Sequence, residues 1–382
     1  MHIQTTTGPR DHDLALVLGG GNALGAYHAG AFETLDGADL RPGWIVGASI
    51  GAVTGAILAG NAPEHRLDRL RQFWAEASQE SGRNLYAGVK ARQIYNGLHV
   101  AAALFLGRPS IYRHRYPGLW SALPWMPNDV ALFDHAPLGR TLARLVDFER
   151  LNGGETRLSV ACVDIETGQE VCFDTRDTTI RPEHILASAA IPPAFPPVEI
   201  DGRLLCDAGF TNNLPIDRVF LDEPAGDLVC IALDLFSLPA PRPASLDAVM
   251  ERANDLVFAS APRRAVAALE REYALRQELR PDGPAATLLH LAYRAGPDEL
   301  AAKTFDFSPS SIRDRWAAGR SDMAAGLTRL RVPEHRQRRF RYISGAERTE
   351  RTPDHGESAS DTMTTPGPAT GCPQPTRPTI WR

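Results

Sequence analysis

The sequence predicts an α/β fold, with a mostly parallel central sheet flanked by helices. Three observations predict it. Short, uninterrupted apolar runs such as Leu14–Leu18 (LALVL) and Leu228–Leu233 (LVCIAL) suit strands buried on both faces. The first run ends in Gly19-Gly20-Gly21 and leads into a helix-forming stretch. A second short run, Trp44–Val46, repeats that order and leads into Ile50–Ala59.

Along the chain, Gly25–Leu35 reads as a helix with Ala26, Ala29, Ala31 and Leu35 available to pack. Small residues at the start of this helix and of Ile50–Ala59 let both lie close to the sheet. Glu64–Ala77 is amphipathic, with Leu67, Leu70, Phe73 and Trp74 on one face. From Ser81 to Pro137 the sequence turns rich in Tyr, Trp, Pro and Gly and loses its periodicity. This insertion is expected to be a lid or interfacial surface, or else a packed cover over the sheet. Its Phe105, Trp120, Trp125 and Met126 lie among Arg108, Arg113 and Arg115, a mixture suited to lipid and its phosphates.

Leu138–Val146 is helical again, and Arg157–Ile165 and Glu170–Phe173 read as strands. Pro182–Ala190 is a short helix stopped by Pro192-Pro193. Val198–Cys206 resembles a hairpin turning at Asp201-Gly202. Ser245–Leu279 and Ser308–Leu330 are long helices, with Thr287–Tyr293 a strand between them. The basic run His335–Tyr342 (HRQRRFRY) reads as a solvated face. Beyond Ser344 almost no aliphatic residue remains, so burial cannot offset ordering entropy and a disordered tail is expected. The organisation is thus an arm over 1–13, an α/β domain over 14–233 holding the 81–137 insertion, a mostly helical extension over 234–343, and a tail over 344–382.

The 382 residues are 43% hydrophobic with a net charge of −5, enough for a sizeable core and unfavourable to bulk nucleic-acid binding. The five cysteines (Cys162, Cys172, Cys206, Cys230 and Cys372) are odd in number, and four lie in apolar, strand-like stretches. They read as small core residues in a reducing compartment, not a disulfide or zinc framework. The N-terminal stretch has no apolar signal region, and no apolar run reaches the roughly 20 residues of a spanning helix. A soluble, cytoplasmic protein is expected, with peripheral membrane contact left open.

A strand running into glycines and a helix start leaves backbone N–H groups unpaired, which suits an anion. The glycines at 19, 20, 21 and 25 do not form G-x-G-x-x-G, no acidic residue ends the second strand, and no Gly-Lys-Ser/Thr is present. Both nucleotide-binding patterns therefore fail. The same N–H groups suit an oxyanion. Gly47-Ala48-Ser49-Ile50-Gly51 is G-x-S-x-G on the next strand–helix unit, so the two loops neighbour one another on one sheet edge. Alone, the pentapeptide is a turn as readily as a nucleophile elbow. A serine nucleophile needs a base. None of the histidines after Ser49, namely His65, His99, His114, His135, His184, His290, His335 and His355, sits in a loop following a strand with a suitable acid. The elbow also comes too early for an α/β-hydrolase. Asp207, at a strand end before Ala208-Gly209, is the better candidate, and Asn212 and Asn213 read as loop hydrogen-bonding residues.

GGGNALGAYHAG, GASIGA and CDAGFTNNLP together resemble the patatin-like phospholipase family, as does SAAIPPAFPPVEIDG ahead of the aspartate. The resemblance covers roughly Leu14–Leu233. It implies a three-layer α/β core, lipid acyl hydrolysis by a Ser–Asp dyad without histidine, and no metal or cofactor. Carried over, Ser49 is the nucleophile and Asp207 its partner, while Gly20, Gly21 and Asn22 supply oxyanion donors. Gly19, Gly25, Gly47, Gly51 and Gly209 are the remaining motif glycines. Two positions depart from the family pattern. Leu24 stands where Arg or Lys is frequent, removing a cation that would anchor the loop or an anionic head group. Ala208 stands where glycine is usual, restricting the backbone if positive φ is required. The rival readings are an esterase or thioesterase for other acyl substrates, and a catalytically weak protein that binds lipid or a partner. The extension beyond Leu233 is similar to one in a bacterial branch of the family.

Overall fold

The computed structural model describes residues 14–78, 88–221, 224, 226–296, 298–332 and 339–345. Strand β1 (Leu14–Leu18) is buried throughout, and alternate residues enter different cores: Leu14, Leu16 and Leu18 on one face, Ala15 and Val17 on the other. That is why an unbroken apolar run can stand there. The chain continues through α1 (Ala26–Gly37), β2 (Trp44–Ala48), α2 (Ile50–Ala59), α3 (Pro63–Ser78) and α4 (Val89–Leu106). Two-residue strands β3 (Arg113–His114) and β4 (Phe133–Asp134) pair with each other, followed by α5 (Ala136–Leu145) and α6 (Phe148–Gly153). Next come β5 (Arg157–Asp164), β6 (Glu170–Asp174), α7 (Pro182–Ser188), β7 (Val198–Ile200), β8 (Arg203–Asp207), α8 (Gly209–Asn212) and α9 (Asp217–Phe220). The last elements are β9 (Leu228–Asp234), α10 (Leu246–Leu279), β10 (Ala286–Ala292), α11 (Pro309–Leu330) and β11 (Phe340–Ser344).

Among the described residues, nine strands form one mixed sheet in the order β11-β10-β9-β1-β2-β5-β8-β7, with β6 also paired to β5. The run from β11 to β5 is parallel, whereas β6, β7 and β8 join by antiparallel pairings. Helices cover both faces, giving three layers. The β7–β8 hairpin turns at Asp201-Gly202, both with positive φ (50° and 74°), as a two-residue turn of that composition requires.

Three elements differ from expectation. Helix α4 occupies part of the insertion that showed no periodicity. Its apolar residues Ile94, Leu98, Phe105 and Leu106 are exposed, so they do not mark a buried face. The end of the basic run is also not a solvated face, because Phe340–Ser344 is an edge strand of the main sheet. Arg339 donates to the carbonyls of Arg276 and Arg280 at the end of α10, and Arg341 to those of Arg329 and Leu330 at the end of α11. These guanidiniums satisfy carbonyls that a helix terminus leaves open. Finally, the boundary expected at 233/234 falls inside β9, and β10 and β11 extend the same sheet. The tail expected from 344 starts too early, because Ser344 ends β11. The expected arm, Cys372, the tail beyond Gly345 and 81–87 of the insertion lie outside the described residues.

Candidate active site

Ser49 links β2 to α2 with φ 57° and ψ −125°, a conformation that a non-glycine residue rarely adopts. Such strain persists only where the surroundings enforce it. Here they do. A Cβ on Gly47 would stand 2.5 Å from the Gly51 carbonyl, and one on Gly51 would stand 2.1 Å from the Leu18 carbonyl. Both glycines are fixed by close approach, which holds α2 tight against β1 and β2. The Ser49 carbonyl accepts from Ala52 and Val53 (2.9 and 3.2 Å), starting the helix. The Ser49 amide donates to Ser188 Oγ at 3.0 Å, and Ser188 Oγ donates to the Ala161 carbonyl at 2.7 Å. Ser188 ends α7 and is fully buried, so a side chain from a third element holds the turn.

The ladder explains how Asp207 reaches this turn. β6 occupies one edge of β5 opposite Ser159–Val163. On the other edge, β2 runs parallel to β5 and ends with Ala48 opposite Ala161. β8 runs antiparallel on that same edge and ends with Asp207 opposite Cys162. The two strands therefore meet head to head over consecutive residues of β5, bringing Ser49 and Asp207 together. Asp207 is 1% exposed. Its Oδ1 accepts from the Gly209 amide at 2.8 Å, while buried Oδ2 has no hydrogen-bond partner among the described residues. Burial pushes the carboxyl pKa up to about 7, against a smaller opposing effect of the adjacent Ser49 hydroxyl and the Gly209 amide. That hydroxyl is close enough to favour the charged carboxylate without forming a well-made hydrogen bond to Oδ2.

The glycine loop lies against the same turn. The Gly19 amide donates to Leu233 (3.1 Å) and the Gly20 amide to the Asn213 carbonyl (3.0 Å). Gly20, expected among the oxyanion donors, thus has its amide occupied. A Cβ there would stand 3.0 Å from Ser49 Cβ and 2.4 Å from Asn213 Oδ1, so the residue allows close packing. Asn213 also donates its Nδ2 to the Gly20 carbonyl at 3.2 Å, clamping the glycine loop to the loop after Asp207. No described group accepts the amides of Gly21 or Asn22. Gly21 has φ 154° and Asn22 φ 50°, and they open the short 3₁₀ turn Asn22–Gly25. Gly25 meets Ile50 across the two loops. Asn212 instead donates to Asp217 at 2.9 Å.

Both departures from the family pattern have a structural setting. Ala208 has φ −73° and ψ 0°, an ordinary right-handed conformation that needs no glycine. Leu24 is fully buried in the core, so its side chain packs under the loop. No described histidine hydrogen-bonds Ser49 or Asp207. His290 instead faces Asp234 (3.3 Å) and Tyr342 (3.1 Å). Cys162, Cys206 and Cys230 are buried free thiols and Cys172 is half-buried. Among the described residues, no group of three His, Cys, Asp or Glu is arranged to hold a metal ion, and no helix is long and apolar enough to cross a membrane.

In the insertion, Trp120 and Trp125 stand 59% and 76% exposed. The arginines around them are engaged. Arg108 is buried and packs near Phe307, Arg113 pairs with Asp134 (2.8 Å), and Arg115 pairs with Asp129 (2.7 Å). Sequence reasoning missed Ser188. Its sole sequence signal is its place in SAAIPPAFPP ahead of the aspartate, which does not reveal a hydrogen bond to a residue 139 positions away.

Two protein-family models match the chain. One, described as patatin-like phospholipase, matches residues 16–220, more than half of the chain. Another, described as patatin phospholipase, matches residues 263–339. Among solved structures, the chain is similar to VipD from Legionella pneumophila at 17% identity and a TM-score of 0.40, covering 84% of this chain and 67% of that one. It is also similar to the type III effector protein ExoU at 13% identity and a TM-score of 0.37, covering 85% of this chain and 54% of that one. The chain therefore spans about half the length of the latter.

Proposed function

Because the chain belongs to the patatin-like phospholipase family, we propose that it is a lipid acyl hydrolase in which Ser49 attacks the ester and Asp207 takes its proton. One observation carries this reading. A strained serine, fixed by three elements, lies beside a buried carboxylate whose second oxygen has no hydrogen-bond partner among the described residues. In the proposed reaction, Ser49 Oγ bonds to the carbonyl carbon while its proton passes to Asp207 Oδ2. The amides of Gly21 and Asn22 receive the developing oxyanion. Collapse breaks the bond to the alcohol, which leaves with the proton from Asp207. Water then attacks acyl-Ser49, gives its proton to Asp207, and releases the acid as that proton returns to Ser49. Two carboxyl states at ordinary pH suit this shuttle, because a group with a pKa of about 7 accepts and returns a proton with little bias.

The test is covalent labelling by a fluorophosphonate, followed by mass spectrometry across pH. Labelling is expected at Ser49. Its rate should rise about tenfold per pH unit below pH 7 and level off above, as Asp207 loses its proton. Labelling at another serine, or none in the folded protein, would sink the assignment.

Ser188 is expected to act on the same chemistry through position. Ser188→Ala leaves the Ser49 amide and the Ala161 carbonyl unpaired in a buried place. Stability should fall by about 1–3 kcal/mol, and kcat by about tenfold as the nucleophile loses its fixed direction. KM should hardly move. Calorimetry and steady-state kinetics check this, and Ser188→Thr, which keeps the hydroxyl, should recover part of the loss.

A further inference from the structure

We infer that the long helix of the C-terminal extension completes the site by supplying an acyl-chain wall built from Phe258, Phe236 and Phe210. This rests on the hydrolase reading and names what the site holds. Phe258 lies on α10, far from the three motifs in sequence. Its ring edge is 3.4 Å from the Cβ position of Gly209, and that position is itself 3.2 Å from Asp207 Oδ1. The ring therefore lies against the loop that carries the proposed base. Phe258 stacks on Phe236 (centroids 4.8 Å apart, 27° between planes) and also meets Phe210 (5.7 Å, 31°).

The row links the two loops of the site. Phe236 follows Leu235, whose side chain would lie 2.8 Å from a Cβ on Gly21, so this end starts at the glycine loop. Phe210 sits on α8, three residues after Asp207, at the other end. Burial is graded along the row: Phe236 is 2% exposed, Phe258 half-buried and Phe210 56% exposed. Core packing accounts for the inner ring. What points to a ligand is the continuity of the row, which carries apolar surface from the core out to an exposed ring three residues after the buried carboxylate. All three rings lack a polar atom, so the surface offers dispersion and burial and no hydrogen bond. An alkyl chain leaving the carbonyl at Ser49 is the substrate part that such a surface fits. The extension then has a role: it makes hydrolysis sensitive to acyl length.

The experiment compares kcat/KM of the full chain for p-nitrophenyl butanoate, hexanoate and octanoate below their aggregation limits. Each methylene laid on the wall should raise kcat/KM about two- to fourfold. Phe210→Ala and Phe258→Ala should each lower the octanoate-to-butanoate ratio about tenfold or more, and Phe258→Leu, which keeps apolar bulk, should lower it less. Phe210 is exposed, so its substitution keeps the test open if Phe258→Ala fails to fold. A folded Phe210→Ala protein with the wild-type ratio would overturn the wall and show that the rings serve packing alone. A wild-type protein that hydrolyses butanoate with no gain toward octanoate would overturn it equally. Should the wild type neither hydrolyse any of the three esters nor accept a fluorophosphonate, the hydrolase reading itself falls, and the wall with it.

Discussion

Ser49→Ala is expected to bring ester hydrolysis down to the uncatalysed background, a loss on the order of 10⁴-fold or more, with the melting temperature nearly unchanged. The substitution removes one hydroxyl oxygen. It leaves the amide bond to Ser188 and the carbonyl bonds to Ala52 and Val53 in place, since these are backbone contacts. The residue is half-buried, and alanine tolerates φ 57° about as well as serine does. The elbow should thus survive without its nucleophile. Hydrolysis of p-nitrophenyl butanoate, fluorophosphonate labelling and calorimetry on the same sample check this. A folded Ser49→Ala protein that keeps its turnover would remove Ser49 from the mechanism.

Asp207→Asn should cut kcat by on the order of 10²-fold or more while making the protein more stable at neutral and alkaline pH. The two effects have one origin. Folding raises the pKa of Asp207 from the usual carboxylate range to about 7, so the folded state holds this proton more tightly than the unfolded state. Its contribution is most favourable below about pH 4. It declines as pH rises toward 7 and stays at its least favourable above that, where an uncompensated charge is buried. Asparagine keeps an acceptor for the Gly209 amide and carries no charge. At pH 8 the variant should gain on the order of a few kcal/mol, and the gain should vanish near pH 4. Denaturant unfolding at both pH values reads this directly. An Asp207→Asn protein that is active, or less stable than wild type at pH 8, would show that the carboxylate is a structural anchor.

Much of this was legible in the residues because the sheet is buried on both faces. Unbroken apolar runs marked β1, β2 and β9, and glycines marked where the chain turns from strand to helix. Asp201-Gly202 marked the hairpin because only certain residues accept positive φ. Helix α4 was hidden because its large apolar residues face outward. Strand β11 was hidden because Arg341 within it and Arg339 just before it satisfy helix ends, a pairing that charge counting cannot reveal. In the site, motif order pointed to Ser49 and Asp207. It did not show that Gly20 has its amide occupied by Asn213, nor that Ser188 holds the elbow, because both depend on contacts distant in sequence.

The position of β9 in the sheet bears on how the chain can be shortened. β9 lies between β1 and β10, and five of its residues are buried. A fragment ending where the recognisable motifs end would strip β10 and β11 from one side of it. The backbone donors and acceptors of Leu228–Asp234 that pair with β10 would then face solvent as an apolar rim with no guarding charge until Asp234. Rims of that kind template the addition of further chains. A chain cut there is therefore expected to associate with itself through β9, independently of any part that the later stretch plays at the serine.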